Sequence, residues 1–518
     1  MKKIIIGLSL LISNVTFGQK DFQVLHNNKV IGKVLSDNTE IKGVEYTFPE
    51  RIHKTFLDTT SGYLTVQTRR LSKNGKWLKN KGKIIQYDLN NKSLLWSKKI
   101  AYQVSNLQQF SNTMIFTVAN KSSCLDKNTG NATWDVKNSI YYVDPIDNIG
   151  VGYRFKNATG YSNELEGIDL RSGKVIWKRD LNREYGWNDI FYTNDSTMIV
   201  VAAGLHSINI NSGKGWDYNT ITGKKNYTGT VAANVAGIAA GLLTGTFVTS
   251  TGHNLVRDVV SNSLVDSSFI YFASKEQLSK IDKETGNIAW KYPFPKGLSS
   301  KSSILMNDSV VFMVNNGSAF MGHRQLNFGK PFIAAFDRET GKEKYLTVIN
   351  VKKDPILGFK LLNDEMYLVF KNRISKYSIE TGNLILEKEF LDENYGNLRY
   401  FVGNQVFVEN ENEDLVSLPQ SDTSKVFVFT NKGKSLSVNK QLNVTDTIEY
   451  EDLSISYLYT VDYKFIAKEK QTLIIDNDGK RIAEIKVTKD AFLIGDTLYD
   501  KQDNRFIAVD LNRIFKKE

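Results

Sequence analysis

Short runs rich in β-branched and aromatic residues recur along the chain, and each ends at an acidic or polar residue. Four positions later stands a Gly, and eight positions later a large apolar side chain. Asp126, Gly130 and Trp134 set the pattern. Asp169, Gly173 and Trp177 repeat it, as do Asp282, Gly286 and Trp290, then Asp337, Gly341 and Tyr345. Weaker copies keep part of it: Asp88 and Trp96 with Lys92 at the Gly place, Asn209 and Gly213 with Trp216 one step early, and Ser378 and Gly382 with Leu386. Each copy predicts a β-hairpin in which the carboxylate accepts from turn amides, the Gly supplies a positive φ cheaply, and the second strand carries the Trp. Five of the seven Trp sit at this place, which predicts a repeated packing residue buried by sheets stacked side by side.

Anchors at 88, 126, 169 and 209 are 38, 43 and 40 residues apart, the length of a four-stranded propeller blade. The next steps, 73 and 55 residues, must house two insertions, and the step to 378 returns to 41. Fainter anchors follow at Thr430 with Gly433, Asp476 with Gly479, and Asp510, which brings the count to ten. The segment from Phe492 to Phe515 has three strand-like runs, and Phe22 to Val34 is expected to supply a fourth that closes the ring and hides its edges.

The motif Asp-x-x-Thr-Gly-x-x-x-Trp resembles the tryptophan-docking motif of the quinoprotein (PQQ-dependent) propeller family, and within it the non-enzymatic branch of outer-membrane-protein assembly factor B (BamB). The resemblance covers Asp88 to Gly382 and is specific for fold more than for chemistry. It implies an all-β propeller of four-stranded blades. Eight is the number usual in the resembled families, and the anchors admit up to ten.

Composition adds an address. Lys2 and Lys3 precede an apolar stretch from Ile4 to Val15, and Thr16 and Gly18 are small, so residues 1–18 read as a secretory signal peptide and 19–518 as one propeller domain. The single cysteine, Cys124, then has no disulfide partner and lies two residues before Asp126, where other copies carry Gly167, Ser207 and Ala335. That is a small structural slot. With no cysteine just after the signal, the lipid anchor that the assembly-factor branch carries has no attachment point. The formal charge is +11, two units of it in the leader; it reads first as solvated lysines spread around a large disc, with anionic partners as the alternative, and no stretch is basic and aromatic in the manner of a nucleic-acid surface. The basic loop from Arg69 to Lys83 reads as a solvated loop, with an anion site as the alternative.

The insertions are the main departures from the repeat. In a blade whose four antiparallel strands run outward, the Thr-Gly turn joins strands three and four. The insertion at 219–262 lies between blades, and the second, about Asn315 to Pro331, lies between strands two and three. Both are expected on the face opposite the Thr-Gly turns. Residues 230–249 carry no charge, and Ala233, Gly237, Gly241 and Gly245 recur every four, a glycine-zipper pattern that predicts a helix able to approach another backbone closely. Such a helix would plug or cover the ring, dock a partner helix or membrane, or give way to a flexible loop. Residues 254–264 predict a second, amphipathic helix. Partner-binding candidates are Ala233, Gly237, Gly241, Gly245 and Phe247, with His323 and Arg324 from the second insertion.

Chemistry finds little support. A quinoprotein dehydrogenase would need, as the resemblance implies, a Ca2+ with carboxylate and amide ligands, a catalytic Asp and an adjacent cysteine pair, and one cysteine cannot make that pair. The His residues show no metal spacing, and no hydrolase or P-loop motif is present. The expectation is therefore a non-catalytic, cofactor-free periplasmic scaffold with contact to the outer membrane, binding envelope proteins through the insertion face and working in outer-membrane protein assembly. A ligand- or carbohydrate-sensing propeller is the alternative, and a PQQ-dependent enzyme comes last.

Overall fold

A computed structural model describes residues 23–515 except 111–112, 145, 157–160, 226–237, 240–247, 250–254, 258, 322–323, 350–354, 391, 401–405, 410–414, 418–423, 451–452 and 469–470. The leader expected at 1–18 lies outside them. The described chain is a β-propeller of ten four-stranded antiparallel blades, the upper end of the expected range. Blades 1 to 9 span 51–101, 105–136, 138–180, 189–219, 264–293, 302–348, 358–389, 398–449 and 453–485. Blade 10 takes three strands from 492–510, and its fourth is the N-terminal strand Glu40–Thr47, paired with Arg505–Asp510.

The ring-closing strand is therefore not 22–34. Leu25–Val34 lies outside it, pairing with Glu40–Thr47 along its length and, through Gly32 to Val34, with Ala483 to Ile485 on the outer strand of blade 9. The contact needs Gly32, because a Cβ there would stand 2.1 Å from the Glu484 carbonyl. Blade 8 carries a second correction. Thr430 ends its second strand, and the turn between strands three and four is built instead on Asn439, whose side chain accepts from the amides of Gln441 and Asn443.

The core lies between blades. Trp177 shares a cluster with Met198 and Ile208, Trp290 with Met313 and Phe336, and Tyr345 with Met366 and Leu368. Phe506 and Tyr46 of blade 10 pack with Leu64 and Tyr87 of blade 1, so the apolar seam continues across the closure. At blade 9 the first strand is not the inner edge, since a hairpin of Val406–Glu409 and Leu415–Ser417 pairs with it. Among the described residues the helices are two single turns, Asp392–Tyr395 and Asn512–Phe515, and none is long and apolar enough to cross a membrane.

Candidate protein-docking face

The repeated residues all serve the seams between blades. In each clean copy the Asp carboxylate gathers the turn: Asp282 accepts from the amides of Glu284 and Thr285 and from the Thr285 hydroxyl, at 2.8–3.1 Å. Asp126 and Asp337 do the same, and Asp169 uses Arg171 and Ser172. Hydrogen bonds from Thr285 hold the Asp282 carboxyl below the usual carboxylate range. Gly130, Gly173, Gly286 and Gly341 all have φ near +70°.

The Trp of one blade docks on the turn of the next. The indole N–H of Trp96 donates to the carbonyl of Lys127, Trp134 to Leu170, Trp177 to Ile210, Trp216 to Lys283 and Trp290 to Arg338, at 2.7–3.0 Å. Each acceptor directly follows an anchor residue. The ring then covers the Gly of that turn: a Cβ on Gly173 would lie 2.7 Å from Trp134, and one on Gly286 2.5 Å from Trp216. Tyr345 occupies the same place against Gly382, but its buried hydroxyl finds no partner among the described residues.

In two seams the residue after the anchor adds an ion pair. Arg338 reaches Asp266 of blade 5 at 2.7 Å, and Lys127 reaches Asp58 of blade 1. The residue after the anchor thus accepts the indole through its backbone and binds the preceding blade through its side chain. Sequence reasoning missed this clamp. Its signal was present in the pairing of a basic residue after the anchor with an Asp in the first turn of the blade before. Cys124 lies opposite Trp134 in the strand pairing, half-buried, and burial pushes its thiol up. His206 is buried, its ring nitrogens held by Asp217 and the Ala202 carbonyl, a structural place in blade 4.

With the turns occupied, the opposite face holds the connections between blades and the loops between strands two and three. Here the two insertions, 219–262 and the second of blade 6, combine. Lys224–Lys225 pairs with Leu255–Arg257, which pairs with Ser318–Met321, which pairs with Arg324–Asn327, making one four-stranded sheet from segments far apart in sequence. The helix expected over 254–264 does not form at its described residues. Leu255–Arg257 is a strand, and the neighbouring apolar pairs Leu255–Val256 and Val259–Val260 are both buried. Val256 and Val259 pack with Ala319, and Leu326 and Phe328 close over them.

The sheet is tied to the ring. Lys301 donates its amide to Ser318 and its carbonyl accepts from Asn316, while the Asn262 side chain bonds both the amide and the carbonyl of Ile304. Arg324 is exposed on the outer strand. Ala233, Gly237, Gly241, Gly245, Phe247 and His323 lie outside the described residues. So does most of the 230–249 segment, whose described pairs Ile238–Ala239 and Val248–Thr249 are joined as antiparallel strands and not as a helix. Between blades 4 and 6 and the end of the first insertion, a hollow of about 430 Å³ is bordered by Asn188, Asp189, Val260, Asn262, Lys301 and Ile304. Burial raises the Asp189 carboxyl there.

Among the described residues no three His, Cys, Asp or Glu side chains gather in a way that would hold a metal ion.

A family model described as outer membrane protein assembly factor BamB matches residues 60–292 and 244–512. Sequence comparison with curated proteins returns no match. Among solved structures, the chain is similar to BamB from Moraxella catarrhalis, with 13% identity over 73% of this chain and 96% of that one and a TM-score of 0.32. It is also similar to the computationally designed Ika8 protein, with 10% identity over 78% and 97% and a TM-score of 0.28. For dihydro-heme d1 dehydrogenase NirN the identity is 9% over 78% and 76%, with a TM-score of 0.29. The family match over most of the chain, on blades joined by the tryptophan-docking repeat, shows that the chain belongs to the PQQ-like propeller family described as outer membrane protein assembly factor BamB.

Proposed function

We propose that this protein is an exported, non-catalytic scaffold of the cell envelope that binds other proteins, in outer-membrane protein assembly as the family description suggests. The carrying observation is the shared insertion sheet: two insertions that leave the ring at different blades meet on one face and are packed together there. Building and fixing such a sheet outside the ring costs conformational entropy that the ring itself does not require. A docking platform gives that sheet a use. The repeat's Asp, Gly and Trp residues are engaged in blade seams, which leaves the opposite face to vary. The signal-like leader expected at 1–18 supports a periplasmic address, with the outer membrane as a neighbouring surface.

Ala233, Gly237, Gly241, Gly245, Phe247, His323 and Arg324 are the proposed contact residues. Affinity capture from solubilised envelopes with the full chain, and with 230–249 replaced by a short Gly-Ser linker, tests this. The same envelope protein should be retained by the first and lost with the second; equal retention by both would overturn the assignment to these residues. A second reading rests on the hollow bordered by Asp189 and Asn262, whose size suits a small ligand. A small molecule that copurifies with the protein and leaves when Asp189 and Asn262 are replaced, with no protein captured, would favour it.

A further inference from the structure

Between Arg69 and Lys83 the chain carries seven cations and no acid. This loop joins strands two and three of blade 1, which places it on the same face as the insertion sheet. Its one aromatic residue, Trp77, is 72% exposed, and the flanking Leu71 and Leu78 are 43% and 37% exposed. Trp77 is apart from the five Trp that dock between blades. An indole held in water beside two leucines makes none of the docking bonds that hold the blade seams, and its exposure carries a hydrophobic cost.

The loop presents this tip in a fixed shape. Leu71 and Leu78 form a bridge, the Ser72 amide donates to the Trp77 carbonyl at 2.8 Å, and the Lys79 amide donates to the Arg70 carbonyl at 2.7 Å. The Trp77 amide donates to the Ser72 hydroxyl, and Gly75 turns the chain at φ +70°. At the base, the Arg69 guanidinium donates to the Lys79 carbonyl and the Asn80 side chain, and Arg70 pairs with Glu50. Beside the hairpin is an open hollow of about 470 Å³, bordered by Arg70, Lys79, Lys81, Asn80 and Gln103.

We propose that this hairpin is a membrane-contact element for an anionic lipid bilayer, with Trp77, Leu71 and Leu78 seated at the headgroup boundary and the cationic hollow taking a lipid phosphate. The physics of each part suits the interface. Indole prefers the boundary between headgroups and acyl chains, lysine stems can lie along apolar surface while their ammonium groups reach phosphate, and clustered cations are attracted to an anionic leaflet. Two aliphatic side chains beside the indole favour lipid over nucleic acid, whose bases call for flat stacking partners. This inference goes beyond the scaffold reading and stands on different residues, so either can fail alone.

Co-sedimentation of the purified mature chain with vesicles tests it, using phosphatidylethanolamine and phosphatidylglycerol in a 3:1 ratio against phosphatidylcholine alone. The expected result is binding to the anionic vesicles that falls at least tenfold in 0.5 M NaCl, with weak or no binding to phosphatidylcholine. Lys73→Gln, Lys76→Gln and Lys79→Gln combined should lower it tenfold or more, and Trp77→Ala at least threefold. These side chains are exposed, so circular dichroism and the melting temperature should not change. The difference in fluorescence between the wild type and Trp77→Phe should shift to the blue on vesicle addition. Equal binding to both vesicles, binding unchanged in these variants, or loop-dependent binding to a single-stranded oligonucleotide without vesicle binding would overturn the proposal.

Discussion

The indole of Trp134 lies against Gly173 of the following blade so closely that a methyl group added to Gly173 would stand 2.7 Å from the ring. Gly173 also has a φ of +72°, so the position excludes a side chain on two independent grounds. Gly75 separates the two: it has a φ of +70°, but nothing lies within 4 Å of its would-be Cβ. Gly75→Ala should cost about 1 kcal/mol from backbone conformation alone, while Gly173→Ala should cost about 2–4 kcal/mol because the indole must also move. Urea denaturation of both variants measures the gap, and equal losses would remove the seam from the explanation.

The seam between blades 6 and 7 offers the opposite substitution. Tyr345 fills the docking place, but its hydroxyl is buried without a partner, and that burial pushes its ionisation up to about 12. Tyr345→Phe should therefore be neutral or stabilising by up to about 1 kcal/mol. Trp134→Phe takes the only indole donor from the Leu170 carbonyl and shrinks a packed ring, and should destabilise by about 2–3 kcal/mol. Thermal denaturation of the pair checks the sign as well as the size.

The Asp266–Arg338 clamp sets an acid dependence. Asp266 is largely buried, which by itself raises its carboxyl. Hydrogen bonds from the Ser268 amide, Arg338 and the Phe269 amide overcome that and bring it down to about 2. A depressed folded value means stability that is present above the unfolded value, near 3.9, and is lost as pH falls toward 2. The difference in stability between the wild type and Asp266→Asn should be about 2 kcal/mol at pH 6 and should shrink steadily between pH 4 and pH 2. A gap independent of pH would show that the clamp acts through shape and not charge.

Cys124 should be slow to react. Its thiol is half-buried opposite Trp134 and pushed up by that burial, so the thiolate is scarce at neutral pH. Modification by a water-soluble aromatic disulfide at pH 8 should run at least tenfold slower in the folded protein than in 6 M guanidinium. Similar rates would mean that the slot opens readily.

The repeat was legible because one spacing fixes both a turn and a packing partner, so Asp282, Gly286 and Trp290 could be placed from sequence alone. What the spacing concealed was the partner's identity, since Trp290 docks on the turn at Asp337 and not on its own. The eighth anchor was read at Thr430 because a Gly follows it; in blade 8 the αL place belongs to Leu442, a residue whose side chain gives no such signal. The 254–264 segment misled for a related reason: adjacent apolar pairs match a helical stripe as well as a strand buried on both faces, and only a partner strand, Ser318–Met321, decides between them. That partner lies more than sixty residues away, where local periodicity carries no information. The shared face of the two insertions was legible from strand direction alone, but their pairing was not.

The scaffold reading is tested most directly by crosslinking in intact cells from single cysteines in a Cys124→Ser background, one set at Arg324 and Gln325 on the insertion sheet and one at Asn128 in a docking turn on the other face. The account predicts adducts with another envelope protein from 324 and 325 and none from 128. Adducts from 128 alone, or from neither face, would contradict it.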